Sequence, residues 1–208
     1  DYEYGGAFMF KVKLNAGETR KLYFAAITTR KGEESKVSDY IGEKRFLQEL
    51  EYYKNRRETF LKTTRIKSPD DYINVMTNVW LKRQVELGKT WGRGAGKGFR
   101  DVMQDITAFV SLDNELARAR ILSTLAHQYV NGNAIRMFEP DYTHPYMDMP
   151  AWIPATILTY LKETNDFKLL QEQIGYLDSN IKESVLVHTI KGVEFLLKSL
   201  GRRGLVLW

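Results

Sequence analysis

Thr90-Trp-Gly-Arg-Gly-Ala-Gly-Lys-Gly-Phe-Arg-Asp101, with Gln104 and Asp105 just behind it, is the stretch on which the reading of this chain turns. Four glycines fall in the seven positions from Gly92 to Gly98. A helix interior carries each at a cost of roughly 1 kcal/mol relative to alanine. The stretch therefore reads as a loop, with Arg93, Lys97, Arg100 and Asp101 within or just beyond it. Such a loop can bring backbone and fixed charge close to a polar, anionic or hydroxyl-rich ligand. Two nucleotide readings fail. A phosphate-binding loop needs Gly-Lys followed by Ser or Thr, whereas Gly98 follows Gly96-Lys97 and Trp91 stands where its first glycine belongs. The dinucleotide fingerprint fails because the glycines alternate strictly and no parallel-strand pattern precedes them. A plain connector between helices remains one reading. Against it, Arg93, Arg100, Asp101 and Asp105 flank the apolar Trp91, Phe99 and Met103, and charges beside apolar residues need partners. An Arg100–Asp105 ion pair at helical spacing is the structural alternative.

Upstream, Phe8, Phe10, Val12 and Leu14 alternate with Met9, Lys11 and Lys13. After the turn residues Asn15-Ala-Gly-Glu18, Leu22, Phe24 and Ala26 alternate with Lys21, Tyr23 and Ala25. Period-two runs on either side of a glycine-containing loop predict an antiparallel hairpin, here the end of a larger β-domain lying before residue 1. Residues 38–64 turn rich in Glu, Lys, Arg, Leu and Tyr, with a stripe of Phe46, Leu50, Tyr53 and Arg57, which predicts a connecting helix. Ser68-Pro69-Asp70-Asp71 reads as the next helix start, with the Ser68 hydroxyl as cap and acids in the first turn.

Downstream the pattern is helical and almost regularly punctuated. Helices are expected on Tyr72, Ile73, Met76, Val79 and Trp80; on Val102, Ile106, Phe109 and Val110; and, capped by Asp113, on Leu116, Ile121, Leu122, Leu125 and Tyr129 up to Asn131-Gly132. Pro150 opens another on Ile153, Ile157, Leu158 and Leu161, ending at Thr164-Asn165. A short piece around Phe167 to Ile174 precedes a last helix on Leu186, Ile190, Val193, Leu196, Leu197 and Leu200, closed by Gly201. Helices of this length joined by unequal loops predict a helical array or an α/α barrel. No fixed-period repeat marks a solenoid.

Composition narrows the partners. The net charge is +5, and residues 30–67 hold eleven Lys or Arg against seven Asp or Glu. The acids are interspersed throughout, which describes a solvated helix face rather than a nucleic-acid footprint. The chain has no Cys, hence no disulfide framework and no thiolate metal site, as suits a reducing compartment. No apolar run approaches the ~20 residues of a membrane span, and no signal peptide is visible. The first residue is Asp1 and the last run is Gly-Leu-Val-Leu-Trp208, from which we expect a fragment of a longer protein.

A second polar cluster runs Arg136-Met-Phe-Glu-Pro-Asp-Tyr-Thr-His-Pro-Tyr-Met-Asp148 and closes on Pro150-Ala-Trp152. It is too long and aromatic for a mere connector, and long ordered loops tend to carry function. Tyr142, Tyr146 and Trp152 could stack on sugar rings while Glu139, Asp141 and Asp148 accept hydroxyl hydrogens. A metal at His144 with Asp141 and Asp148 is disfavoured, since no second His lies nearby. His127 and His188 are expected to satisfy local hydrogen bonds on helices.

Taken in order, Asn78-Val-Trp-Leu, Thr-Trp-Gly-Arg93, Gly98-Phe-Arg-Asp-x-x-Gln-Asp105, Arg136-Met-Phe-Glu-Pro and Asp148-x-Pro-Ala-Trp152 resemble the inverting glycoside phosphorylases of the cellobiose phosphorylase family. The nearest flavour is that of the 1,2-β-oligoglucan phosphorylases, and the phosphorylase-like part of cyclic β-1,2-glucan synthases is also similar. The resemblance implies a mainly α chain: the last strands of an N-terminal β-sandwich (1–30), a helical linker (31–67) and the first half of an (α/α)6 barrel (68–208). It implies phosphorolysis of β-linked gluco-oligosaccharides. An acid protonates the leaving oxygen while inorganic phosphate, a co-substrate rather than a cofactor, attacks from the opposite face and gives α-glucose 1-phosphate.

Carried over position by position, Arg93 resembles the family's phosphate-binding arginine. Arg100 and Asp101 resemble the pair that holds sugar hydroxyls on the non-reducing side of the cleaved bond. Asp148 and Trp152 match a family motif and are expected near the substrate. The loop between Arg93 and Asp101 is shorter than in cellobiose-type members. The general acid is expected beyond Trp208, so these 208 residues alone are expected to be inactive. The resemblance further implies a cytoplasmic enzyme with no metal, no nucleic-acid partner and no membrane attachment, and a homodimer at full length. A non-catalytic carbohydrate-binding or assembly segment, or a structural α-helical protein, is the reading from another class.

Overall fold

The computed structural model describes residues 9–27, 38–62, 64–90, 96–144 and 146–207. The chain divides into two units, Asp1–Lys62 and Thr63–Trp208.

In the first unit, residues 9–27 reverse direction at Ala16-Gly17, where Gly17 takes φ +78° and the Glu18 N–H donates to the Asn15 carbonyl at 3.0 Å. Phe10 and Phe24 meet edge to face at 5.3 Å. The expected strand ladder is not formed among the described residues. Its side chains are almost all exposed, and a two-stranded ribbon with nothing to cover a face gains too little to hold a register. Phe8 lies outside the described residues. Helix α1 (Glu43–Lys62) follows, with an acid in its first turn, a base in its last and an Arg45–Glu49 pair at 2.5 Å. Tyr23 tethers its start by donating to Glu43 Oε1 at 2.7 Å and by packing against Phe46 at 5.2 Å. No residue of α1 is buried, so its apolar stripe stays at the surface.

The second unit begins with a zipper of polar contacts. α2 (Asp71–Val75) runs through a π-helical stretch (Met76–Leu81) into α3 (Lys82–Thr90). Asn74 exchanges two hydrogen bonds with the Ser68 backbone (2.7 and 3.0 Å), and Asn78 does the same with Ile66 (2.9 and 2.8 Å). The Lys82 ammonium donates to the Thr64 carbonyl. Four helical residues advance ~6 Å and two extended residues ~6.6 Å, so every fourth helical side chain meets every second residue of the incoming chain. Burial, with Arg65 nearby, pushes the Lys82 pKa down. The helix cap is Asp70, whose carboxylate accepts from Tyr72 N and Ile73 N, rather than Ser68. Ser68 braces Asp70 instead, and Pro69 lies before the cap.

The core is built on α4 (Phe99–Phe109), whose Phe99, Met103, Ile106 and Phe109 are buried at the three- and four-residue spacing of one helix face. Against it pack Ala117, Ile121 and Leu125 of α5 (Asn114–Leu125) and Ile153, Ile157 and Tyr160 of α6 (Trp152–Thr164). Asp113 caps α5 by accepting from Leu116 N and pairs with Lys89 at 2.9 Å. Burial pushes its pKa up, but Lys89 and the Leu116 N–H outweigh this and the net shift is downward. A 3-10 turn (Met149–Ala151) leads into α6, which ends at Asn165 in the left-handed conformation (φ 57°). Arg118 of α5 reaches Asp166 (3.2 Å) and Glu172 (2.5 Å), tying α5 to the segment after α6.

Two features depart from the all-helical expectation. Strands β1 (Lys97–Gly98) and β2 (Met137–Phe138) form a two-residue antiparallel ladder. Phe167 to Ile174 is a 3-10 helix (Phe167–Gln171) that opens a hairpin of β3 (Gln173–Tyr176) and β4 (Ser179–Ser184). α7 (Val185–Lys198), capped by Ser184, then docks by Val185, His188 and Gly192. Its expected face is exposed at Leu186, Ile190, Val193 and Leu197. Gly192 packs against Ile153 of α6 and Pro150 of the 3-10 turn, each 3.4 Å from where a Cβ would stand.

Candidate functional site

Phe99 N–H donates to the Arg136 carbonyl at 3.1 Å, and the β1·β2 ladder fixes Lys97 opposite Phe138 and Gly98 opposite Met137. This pins the first turn of α4 to the start of the 136–148 loop, so the two polar stretches picked out in the sequence become one region. Gly98 is the N-cap of α4 (φ −68°, ψ 130°), with no side chain of its own to cap the helix. A Cβ there would come within 2.3 Å of Asp101 Oδ2, so the Asp101 carboxylate lies directly over the Gly98 backbone. Glycine at 98 is thus the condition for Asp101 folding back against the helix start, where a negative charge is favoured.

Arg100 Nη1 donates to Asp148 Oδ2 at 2.9 Å. The ion pair of Arg100 is made with Asp148, 48 residues away, instead of Asp105. Their side chains are 36% and 34% exposed, so solvent screens the pair and its worth in stability is at most about 1 kcal/mol. Its consequence is orientation: the guanidinium keeps four further N–H donors for a ligand. The other carboxylate oxygen, Asp148 Oδ1, is buried and has no hydrogen-bond partner among the described residues. Trp152, at the start of α6, is half-buried and packs against the core cluster. Asp105 lies beneath this turn, where a Cβ on Gly88 would meet its carboxyl carbon at 3.1 Å. Arg93 and Trp91 lie outside the described residues.

The loop uses its aromatics differently from the sequence expectation. The Arg136 guanidinium lies over the rings of Tyr142 (4.8 Å) and Tyr146 (4.2 Å), so a ring face of each that was expected to meet sugar meets a cation. Glu139 pairs with Lys97, which holds its pKa down although burial opposes this. Composition flagged Lys97 and Arg136, but nothing in their spacing showed these partners. His144 stands 6.2 Å from Tyr142 and 6.0 Å from Tyr146, ring to ring. Among the described residues no group of three His, Asp or Glu is placed to hold a metal ion, and no helix is long and apolar enough to cross a membrane.

The two remaining histidines are structural. His127 bonds locally to the Ser123 carbonyl (2.9 Å) and stacks on Phe138 (4.0 Å). His188 is fully buried, and its bonds are long-range: Nδ1 lies 2.7 Å from Gln128 Oε1 and Nε2 3.1 Å from the Ile174 carbonyl.

Comparison with known proteins identifies the family. Residues 52–208 match the family model described as the Glycosyl hydrolase 94 superfamily, catalytic domain. The chain is 41% identical over 142 residues to solabiose phosphorylase of Paenibacillus borealis, covering 68% of this chain and 18% of that protein. It is 26% identical over 151 residues to 3-O-beta-D-glucopyranosyl-beta-D-glucuronide phosphorylase of the same organism, covering 69% and 20%. Over 128 residues it is 28% identical to cyclic beta-(1,2)-glucan synthase NdvB of Rhizobium meliloti, covering 57% and 4%. The chain thus spans about a fifth of the length of these phosphorylases. A match over the whole of the larger unit leaves one assignment: the chain belongs to the glycosyl hydrolase 94 superfamily and carries part of its catalytic domain.

Proposed function

We propose that this chain is the sugar- and phosphate-handling part of a glycoside phosphorylase. The enzyme cleaves β-linked gluco-oligosaccharides, β-1,2-linked ones among them, with inorganic phosphate and releases α-glucose 1-phosphate with inversion. Family membership supports the class of chemistry, as do relatives named as disaccharide phosphorylases. The observation that carries the reading is the first turn of α4, which presents Arg100 and Asp101 together, partly buried, with Arg100 oriented by Asp148.

In this proposal Arg100 and Asp101 bind hydroxyls of the sugar whose anomeric carbon is attacked. Asp101 accepts, Arg100 donates, and the buried Asp148 Oδ1 is an acceptor that a further hydroxyl would satisfy. Trp152 closes one side of the site. Arg93 binds inorganic phosphate through the bidentate, charge-assisted bonds a guanidinium forms with that anion. Phosphate is itself the nucleophile, so one carboxylic acid suffices for the reaction, and no residue of 1–208 is assigned that role. Neither cofactor nor metal is invoked. Helices α2–α7 are proposed to form part of an (α/α)6 barrel. The full-length enzyme is proposed to work in the cytoplasm, where the bond energy is kept as a sugar phosphate, and to be a homodimer.

The similarity to a cyclic glucan synthase favours a second reading, in which the chain is the phosphorylase-like part of such an enzyme. The test is an assay of the full-length protein with β-1,2- and β-1,4-linked glucodisaccharides. Formation of α-glucose 1-phosphate that requires inorganic phosphate is expected. Release of glucose at an equal rate without phosphate would contradict the proposal.

A further inference from the structure

Arg136 differs from its neighbours in how its charge is met. Arg100 has Asp148, Arg118 has Asp166 and Glu172, and Arg120 donates to the Lys89 carbonyl. Arg136 is half-buried, its backbone is pinned by the Phe99 N–H, and its guanidinium lies over the rings of Tyr142 and Tyr146. Among the described residues it has no ion pair, and no oxygen accepts from its side chain. The residues of this unit outside the described set (Thr63, 91–95, Pro145 and Trp208) carry no acidic side chain.

A guanidinium is a permanent cation with five donors in its plane. Aromatic faces satisfy the flat sides of such a group but accept little from its edge. Partly desolvated, held in place and short of acceptors, the edge of Arg136 is prepared for an oxyanion, which two parallel N–H donors bind in bidentate fashion. Tyr146 lies two residues before Asp148, and two residues span at most ~7 Å of chain. One short piece of loop therefore holds both Arg136 and the partner of Arg100. His144 is exposed beside the same two rings and can add a donor.

We infer that Arg136, presented by Tyr142 and Tyr146, is a binding site for an oxyanion, the carboxylate or phosphate group of a sugar-sized ligand. The inference needs no turnover and does not rest on the phosphorylase reading, so each can fail alone. It is tested by calorimetric titration of the full-length protein with glucuronate, α-glucose 1-phosphate, inorganic phosphate and, as the neutral control, glucose.

At least one of glucuronate and α-glucose 1-phosphate is expected to bind. Arg136→Gln should weaken that binding at least about 10-fold, as loss of charge-assisted bonds implies, while Arg136→Lys loses less and glucose is unaffected. Glucuronate alone identifies a carboxylate ligand, and response to α-glucose 1-phosphate identifies a phosphorylated one. Absence of binding by both sugar anions overturns the inference, as does affinity unchanged in Arg136→Gln. Binding of inorganic phosphate alone, lost in Arg93→Gln and kept in Arg136→Gln, also overturns it while supporting the role proposed for Arg93. If Arg136→Gln does not fold, Tyr142→Leu at the exposed ring serves instead: an affinity loss of roughly 3-fold is expected from one weaker cation–π contact, and unchanged affinity overturns the inference.

Discussion

Helices α4 and α7 carry similar apolar patterns and are used in opposite ways. In α4 the periodic residues are the buried ones: Phe99, Met103, Ile106 and Phe109 meet α5 and α6, and apolar area removed from water holds the helix. In α7 the periodic residues Leu186, Ile190, Val193 and Leu197 face outward. The helix is held by the buried Val185 and Gly192 and by a buried polar network. In that network Gln128 donates to the carbonyls of Gly132 (2.9 Å) and His188 (3.1 Å), while its oxygen faces the His188 ring. Tyr176 stacks on that ring at 4.1 Å and donates to Glu183 at 2.6 Å, and Lys191 pairs with the same carboxylate. Burial, with Glu183 adding to it, pushes the Tyr176 pKa up, whereas Lys191 and Tyr176 hold the Glu183 pKa down. Amphipathic spacing therefore marks a face that can be buried. Within these 208 residues α4 has that face covered, whereas α7 docks by its polar side.

The contrast can be broken at either helix, starting with the largest expected effect. Phe99→Ala removes a fully buried ring where α4 meets its neighbours and should cost about 3–5 kcal/mol in urea unfolding. A loss below about 1 kcal/mol would show that the α4 core is not what holds this unit. Gln128→Leu keeps much of the volume but strands the Gly132 and His188 groups, and should cost about 1–3 kcal/mol. If it is neutral, the network does not anchor α7.

The smallest expected effect is a pH dependence at His188. Burial pushes its pKa below the ordinary value; the Ile174 carbonyl and Glu183 oppose this, and Lys191 adds to it. Below the unfolded pKa of about 6.5 the unfolded chain binds a proton that the folded ring resists. The contribution of His188 to stability is then present above that pH and is lost as pH falls towards the folded pKa. Midpoints in urea should fall between about pH 7 and 5, and His188→Gln should flatten that part of the curve. An unchanged slope would place the titration elsewhere.

How much of this was legible follows from the range of the interactions. The helices α4 and α6 and the cap at Asp113 rest on local spacing and stand close to where the pattern puts them, whereas α5 stops at Leu125, short of the expected Tyr129. The β3–β4 hairpin is too short and too polar to announce itself. It is stabilised from outside, by Leu177 N–H donating to Gln128 O (2.9 Å) and by Asp178 accepting from Val130 N–H (2.8 Å). Within the candidate site, the residue types around the glycine run were readable, because glycine beside charge restricts the options. The partners were not. Helical spacing offered Asp105 to Arg100 while the fold supplies Asp148, and no period in a loop predicts that Arg136 will cover two tyrosine rings.

At the centre of the candidate site is the first turn of α4, where Gly98 makes room for Asp101. The most direct measurement is kcat/KM for phosphorolysis of a β-linked glucodisaccharide by the full-length protein, wild type against Asp101→Asn. The account predicts a fall of at least about 10-fold, the worth of a charged hydrogen bond to the sugar, with urea stability nearly unchanged. Phosphorolysis that proceeds at the wild-type rate in Asp101→Asn would contradict it.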